Sequence, residues 1–136
     1  MQLDDFLGTW QLAREIEDRR AGQTGRFTGR AEFIRSDGGL AYAEEGEMRL
    51  GAAAPMRATR RYYWCDSNGL IQVLFEDGRF FHGFDPRDPA PEARHDCPPD
   101  DYRVAYDLRA FPVWSARWEV RGPRKDYTMS SCYSRA

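Results

Sequence analysis

Five turn signals recur along the chain: "RAGQTG" (20–25), "SDGG" (36–39), "DSNG" (66–69), "EDGR" (76–79) and "RGPR" (121–124). Between them lie segments of about 8–12 residues in which aromatic and polar side chains alternate, the period of antiparallel strands. Strands are expected near 9–19, 26–35, 40–49, 57–66, 70–76, 79–85, 101–109, 113–121 and 125–135, preceded by one short helical turn in "LDDFL". The segment "LAYAEEGEMRLGAAA" has a helical composition, but Gly46 and Gly51 count against a helix. About nine strands with no helix to cover a sheet must protect their edges by closing on themselves. The expected fold is therefore all-β, a single antiparallel up-and-down β-barrel. Its 136 residues suit one domain, 1–136, with one core.

A two-residue hairpin loop fixes which residues face each other across a ladder. With Asp37 and Gly38 as the loop, Phe33 faces Tyr42, Ala31 faces Glu44 and Phe27 faces Met48. With Asn68 and Gly69 as the loop, Tyr62 faces Phe75 and Trp64 faces Val73. With Asp77 and Gly78 as the loop, Phe75 faces Phe80, Val73 faces His82 and Ile71 faces Phe84. One face then carries Tyr62, Trp64, Ile71, Val73, Phe75, Phe80, His82 and Phe84. The other carries Arg61, Glu76 and Arg79, an arrangement of opposite charges that suits solvent. The first strand alternates Trp10, Leu12 and Ile16 inward and carries Arg14 with them. The last turns Tyr127, Met129, Ser131, Tyr133 and Arg135 to one side.

Lys plus Arg number 20 and Asp plus Glu 22, for a net charge of −2, with no long run of either sign. Neither a nucleic-acid footprint nor a polybasic membrane patch is expected on this balance. No apolar run approaches the roughly 18 residues of a membrane-spanning helix, and "MQLDDFLGTW" has acids where a secretion signal needs basic residues, so a cytoplasmic chain is expected. Cys65, Cys97 and Cys132 are odd in number and widely spaced, which predicts free thiols. His82, His95, Asp96 and Cys97 include three neighbours in sequence and nothing that fixes the fourth beside them, so no metal centre is expected.

At "FLGTWQLAREI", Phe6, Gly8 and Trp10 resemble the Gly-x-Trp opening of the calycin superfamily, the lipocalins and fatty-acid-binding proteins. That resemblance implies a helical turn leading into the first barrel strand, with the tryptophan closing the barrel floor against an arginine of a late strand, here Arg135. "FLGTW", "DGRFFH", "RHDCPPDDY" and "GPRKDY" together resemble a bacterial family of unknown function. This second resemblance spans nearly the whole chain, implies the same barrel and carries no activity.

Several residues on the inner face are of types that bind ligands. His82 lies among phenylalanines, and because an unperturbed imidazole titrates near neutrality it suits hydrogen bonding to a ligand, haem ligation or proton transfer, or else is a core histidine held by a tyrosine or a backbone carbonyl. Arg14, Arg60 and Arg135 are set against one inward acid, Glu44; they are expected either to pair with it or to stack on Trp10, Arg135 especially, and one left unpaired calls for an anion. Tyr42, Tyr62, Tyr102, Tyr106, Tyr127 and Tyr133 add hydroxyls to an apolar lining that includes Trp64, the composition of a small-molecule site. The segment 86–100 holds five of the eight prolines and carries His95, and as a stiffened loop it is expected to form the pocket rim. "GPRKDY" is expected to be a solvated turn. The expected function is binding of a small, anionic, partly apolar or aromatic molecule by His82, Arg14, Arg60, Glu44, Tyr42, Tyr62, Trp64, His95 and Tyr127. An enzyme using His82 or Glu44 as acid or base in the same pocket is the alternative. A filled barrel acting through its outer surface, as a homodimer, is the third class. No cofactor is specified by these residues.

Overall fold

In the computed structural model, which describes residues 1–136, Asp37 and Gly38 both take positive φ, at 48° and 81°, as do Asn68 and Gly69, at 54° and 85°. Those are the left-handed conformations of a two-residue hairpin loop whose twist matches its strands, and Asn, Asp and Gly tolerate them best. The strands so joined are β2 (Gln23–Ser36) with β3 (Gly39–Leu50), and β4 (Met56–Ser67) with β5 (Leu70–Phe75). Both registers agree with the sequence: Phe33 faces Tyr42, Ala31 faces Glu44, Tyr62 faces Phe75 and Trp64 faces Val73. The segment with the helical composition is strand β3.

Six more strands complete the chain: β1 (Gly8–Asp18), β6 (Phe80–Phe84), β7 (Glu92–Cys97), β8 (Asp100–Asp107), β9 (Trp114–Gly122) and β10 (Lys125–Arg135). All ten are antiparallel in one sheet of order β6-β5-β4-β3-β2-β1-β10-β9-β8-β7. The sheet curls into a nearly closed barrel. Its seam lies between β6 and β7, where side chains take the place of ladder hydrogen bonds. The Phe81 and His95 rings sit 5.2 Å apart across it, and His82 Nε2 lies 2.7 Å from Tyr106 Oη on β8.

The strand count of nine is corrected to ten because β7 lies inside the segment 86–100, expected to be a loop. The prolines bracket the strand rather than interrupt it, with Pro86, Pro89 and Pro91 before it and Pro98 and Pro99 in the turn to β8. Glu92–Cys97 itself contains none, so every ladder donor it needs is present.

The β5–β6 hairpin corrects a second expectation. Its loop has three residues, Glu76, Asp77 and Gly78: the Gly78 N–H donates to the Phe75 carbonyl at 2.9 Å, and Phe75 N–H to the Arg79 carbonyl at 2.8 Å. Gly78, at φ +90°, supplies the left-handed residue such a loop requires. Leu74 consequently faces Phe80, which points outward and is 54 % exposed. A bulge between Val73 and Leu74 then takes up one extra residue on β6, and His82 returns to its place opposite Val73. Phe81, the extra residue, is buried where Phe80 was expected. The longer loop and the bulge shift the register by one residue each in opposite senses, so the expected position of His82 holds.

One end of the barrel is sealed. The N-terminal 3-10 turn Leu3–Phe6 buries Leu3 and Phe6 there, and Phe6 touches Phe33, Trp64, Phe111 and Trp114 with ring centroids 5.2–5.8 Å apart. Trp10 is fully buried and its Nε1–H donates to the Phe6 carbonyl at 2.9 Å. Arg135, opposite Trp10 in the β1–β10 ladder, stacks its guanidinium 3.9 Å from the Trp10 ring and donates to the carbonyls of Leu7 and Asp5. The last carbonyls of a helical turn lack internal partners, so a guanidinium is a fitting cap. Arg135 is therefore an exposed clamp on the floor that packs on Trp10 as the calycin resemblance implies, and it is not one of the pocket-facing arginines. No helix is long and apolar enough to cross a membrane.

Candidate functional site

Above the aromatic floor the barrel encloses a cavity of about 320 Å³ lined by 22 residues, 16 of them hydrophobic. Strand alternation puts His82, Arg14, Arg60, Glu44, Tyr42, Tyr62, Trp64, His95 and Tyr127 all on its wall. They occupy different depths. Trp64 stands on the floor against Phe6, and Tyr42, Glu44, Arg14 and His82 form a buried middle layer. Tyr62, His95 and Tyr127 are half-buried toward the open end, where Arg60 is exposed.

Arg14 and Glu44 are not free within this layer. The guanidinium makes a two-pronged pair with the carboxylate, Nη1 to Oε2 at 2.6 Å and Nη2 to Oε1 at 3.0 Å, while Nε donates to Ser131 Oγ at 2.7 Å. Tyr42 Oη donates to Glu44 Oε1 at 2.7 Å and lies 3.0 Å from Tyr133 Oη. Burial opposes both charges, but the mutual hydrogen bonds outweigh it: the Glu44 carboxyl is held below its ordinary range and Arg14 is held charged. The same burial lifts the Tyr42 phenol well above its usual value and the Tyr133 phenol to about 12, so both stay protonated donors.

His82 is 2 % exposed, and its only hydrogen-bond partner is the Tyr106 hydroxyl. That hydroxyl has no other acceptor, so it donates to Nε2 and the ring is assigned as the tautomer protonated at Nδ1. Nδ1 itself has no partner. Burial, with a smaller contribution from His95, pushes the His82 pKa down to about 3, so the ring is neutral over the whole physiological range. Below pH 6.5 the unfolded chain takes up a proton that the folded chain refuses, so His82 lowers stability as pH falls from 6.5 toward 3. Replacing His82 by Gln, which keeps a partner for Tyr106, is expected to flatten the acid limb by about 1.4 kcal/mol per pH unit between roughly pH 6 and 4. Urea unfolding at stepped pH checks this, and equal slopes in the two proteins would show that His82 titrates normally.

The sequence left part of the wall unnamed. Trp118 stacks on Phe81 with centroids 4.9 Å apart and planes at 8°, and Trp114 stacks on Tyr133 at 3.8 Å and 3°. Trp118 faces Met129 across the β9–β10 hairpin, whose two-residue loop, Pro123 and Arg124, lacks the left-handed residues that marked the loop used to place Tyr62. Cys97, on the cavity wall two residues beyond His95, was hidden by the missed strand β7. The three cysteines are free thiols. His82, His95, Asp96 and Cys97 do not gather within reach of one metal ion.

The structure of an S-type phycobiliprotein lyase, CPES, from Guillardia theta is similar, with a TM-score of 0.66 and 9 % identity over 98 % of this chain and 90 % of that one. At that identity the likeness is one of fold, and it agrees with the calycin-like barrel. No functionally curated sequence matches the chain. Over residues 6–135 the sequence matches the family of unknown function DUF6314, and the chain belongs to that family.

Proposed function

We propose that the barrel binds a small anionic molecule with an apolar or aromatic body, held with its charge toward the open end. The observation that carries this is Arg60. It lines the cavity, faces Glu44 across the β3–β4 ladder, and yet takes part in none of the twelve ion pairs, because Arg14 already occupies both Glu44 oxygens. A guanidinium at the mouth of an apolar cavity is poorly hydrated on one side and offers a fork of donors to a carboxylate or sulfonate. In this reading Arg60, Tyr62, Tyr127 and His95 receive the polar end of the ligand. Tyr42, Trp64 and His82 flank its body, and the Arg14–Glu44 pair shapes the inner wall. The architecture shared with a phycobiliprotein lyase supports a barrel of this kind.

The pocket's chemistry favours binding over proton transfer. Glu44 is spent on Arg14 and Tyr42, and a histidine whose pKa lies at about 3 is neither a cationic acid nor an effective base near neutrality.

Two fluorescent probes test the proposal. The anionic 8-anilinonaphthalene-1-sulfonate is expected to bind wild type and to lose about tenfold in affinity in Arg60→Ala, which corresponds to about 1.4 kcal/mol. The uncharged N-phenyl-1-naphthylamine is expected to bind both proteins alike. Equal loss of both probes, or binding of neither to wild type, would overturn the reading.

A further inference from the structure

The outer surface carries a feature that the pocket does not explain. Reading across the ladders, Ile34 on β2 lies beside Ala41 on β3, then Tyr63 on β4, Leu74 on β5 and Phe80 on β6, a continuous apolar row around half the barrel. Ile34 and Phe80 are 55 % and 54 % exposed. Outward positions of a solvated barrel normally alternate polar residues, and a contiguous apolar strip is what an interface leaves behind. Tyr63 is also held down: its hydroxyl donates to the carbonyls of both Ser36 and Asp37, each at 2.8 Å, which lays the ring across β3 and over Gly39. The Tyr63 ring is thus held in place within the strip.

One step toward the open end, the neighbouring outward row reads Glu32, Ala43, Arg61. Glu32 and Arg61 are both exposed, stand on either side of Ala43, and do not pair with each other. The nearest polar contact of Glu32 is the Thr9 hydroxyl at 3.5 Å, and Arg61 has no ion-pair partner. An acid and a base placed symmetrically about a small central residue form a self-complementary pattern. Turned by 180° about an axis along β3, a second copy brings its β4 over β2 at the same height. Glu32 then meets Arg61 of the second copy twice, Ile34 meets Tyr63 twice, and the alanines of β3 allow close approach along the axis. Contact of this kind, the same patch on both partners, is the usual one in dimers.

We propose that the outer face of β2, β3 and β4 joins two copies of this chain in a homodimer, aligned by reciprocal Glu32–Arg61 pairs. The inference is independent of what the cavity binds. Sedimentation equilibrium on the full chain tests it with three variants, Glu32→Arg, Arg61→Glu and the double reversal. Wild type is expected at twice 15.8 kDa. Each single reversal sets like charges against each other and is expected to weaken dimerisation at least tenfold. The double reversal restores the opposite pairing and is expected to restore the dimer. Both positions lie on the outer wall, so circular dichroism should be unchanged throughout. A wild type that stays monomeric up to its solubility limit overturns the proposal. So does a dimer that survives both single reversals, or a double reversal no better than the singles.

Discussion

Trp10→Ala is expected to lower unfolding free energy by about 3–5 kcal/mol, the range for removing a large aromatic from a packed core. The residue is fully buried at the sealed end, and the change empties the space between Trp114 and Phe111, whose rings lie 5.8 and 5.7 Å from its own. It also leaves the Phe6 carbonyl without its donor and takes away the surface on which Arg135 stacks. Arg135 holds the carbonyls of Asp5 and Leu7, so the N-terminal turn loosens together with the floor. Trp10→Phe keeps most of the volume but not the hydrogen bond, and about 1–3 kcal/mol is expected for it. Urea unfolding followed by far-ultraviolet circular dichroism measures both. A loss below about 1 kcal/mol for Trp10→Ala would show that the floor relaxes around the cavity and that the calycin-like seal is not a rigid one.

The registers legible in the sequence were those set by loops whose two residues both accept positive φ. "SDGG" and "DSNG" meet that condition, and from them alternation alone carried Tyr42, Glu44, Tyr62 and Trp64 to the inner wall. "EDGR" looks the same on paper, but the chain there takes a three-residue loop with only Gly78 in the left-handed region. The local signal does not distinguish the two loops, since Asp-Gly serves both. The resulting slip is corrected by a bulge that the sequence gives no sign of, and Phe80 and Phe81 exchange faces as a result. Strand β7 was hidden for a different reason. Proline density marks a stretch as irregular, whereas here the prolines flank six residues that pair normally with β8. What no local pattern reveals is pairing between side chains from distant strands. Arg14 and Glu44 are 30 residues apart, and their two-pronged contact leaves Arg60 as the cavity arginine without an ion-pair partner.

Glu44→Gln is expected to cost about 3–5 kcal/mol, because it leaves the Arg14 guanidinium buried without a counter-charge. Gln keeps the size and one acceptor, so the loss reports charge and not volume. Replacing both partners with apolar residues of similar size, Arg14→Met with Glu44→Leu, removes the desolvation penalty along with the attraction and is expected to recover most of the loss. The pH dependence has a definite sign. The folded-state carboxyl of Glu44 is depressed, so its contribution is present above the usual carboxylate pKa of about 4.5 and disappears as pH falls through the lower folded value. The double variant lacks that dependence, and its stability should fall less steeply than wild type below pH 4.5. A cost under 1 kcal/mol for Glu44→Gln would mean that water reaches the pair and screens it. The double variant also separates the two cavity arginines by role. Arg60 remains, so binding of the anionic probe should survive, whereas an anion held by Arg14 in exchange for Glu44 would be lost with it.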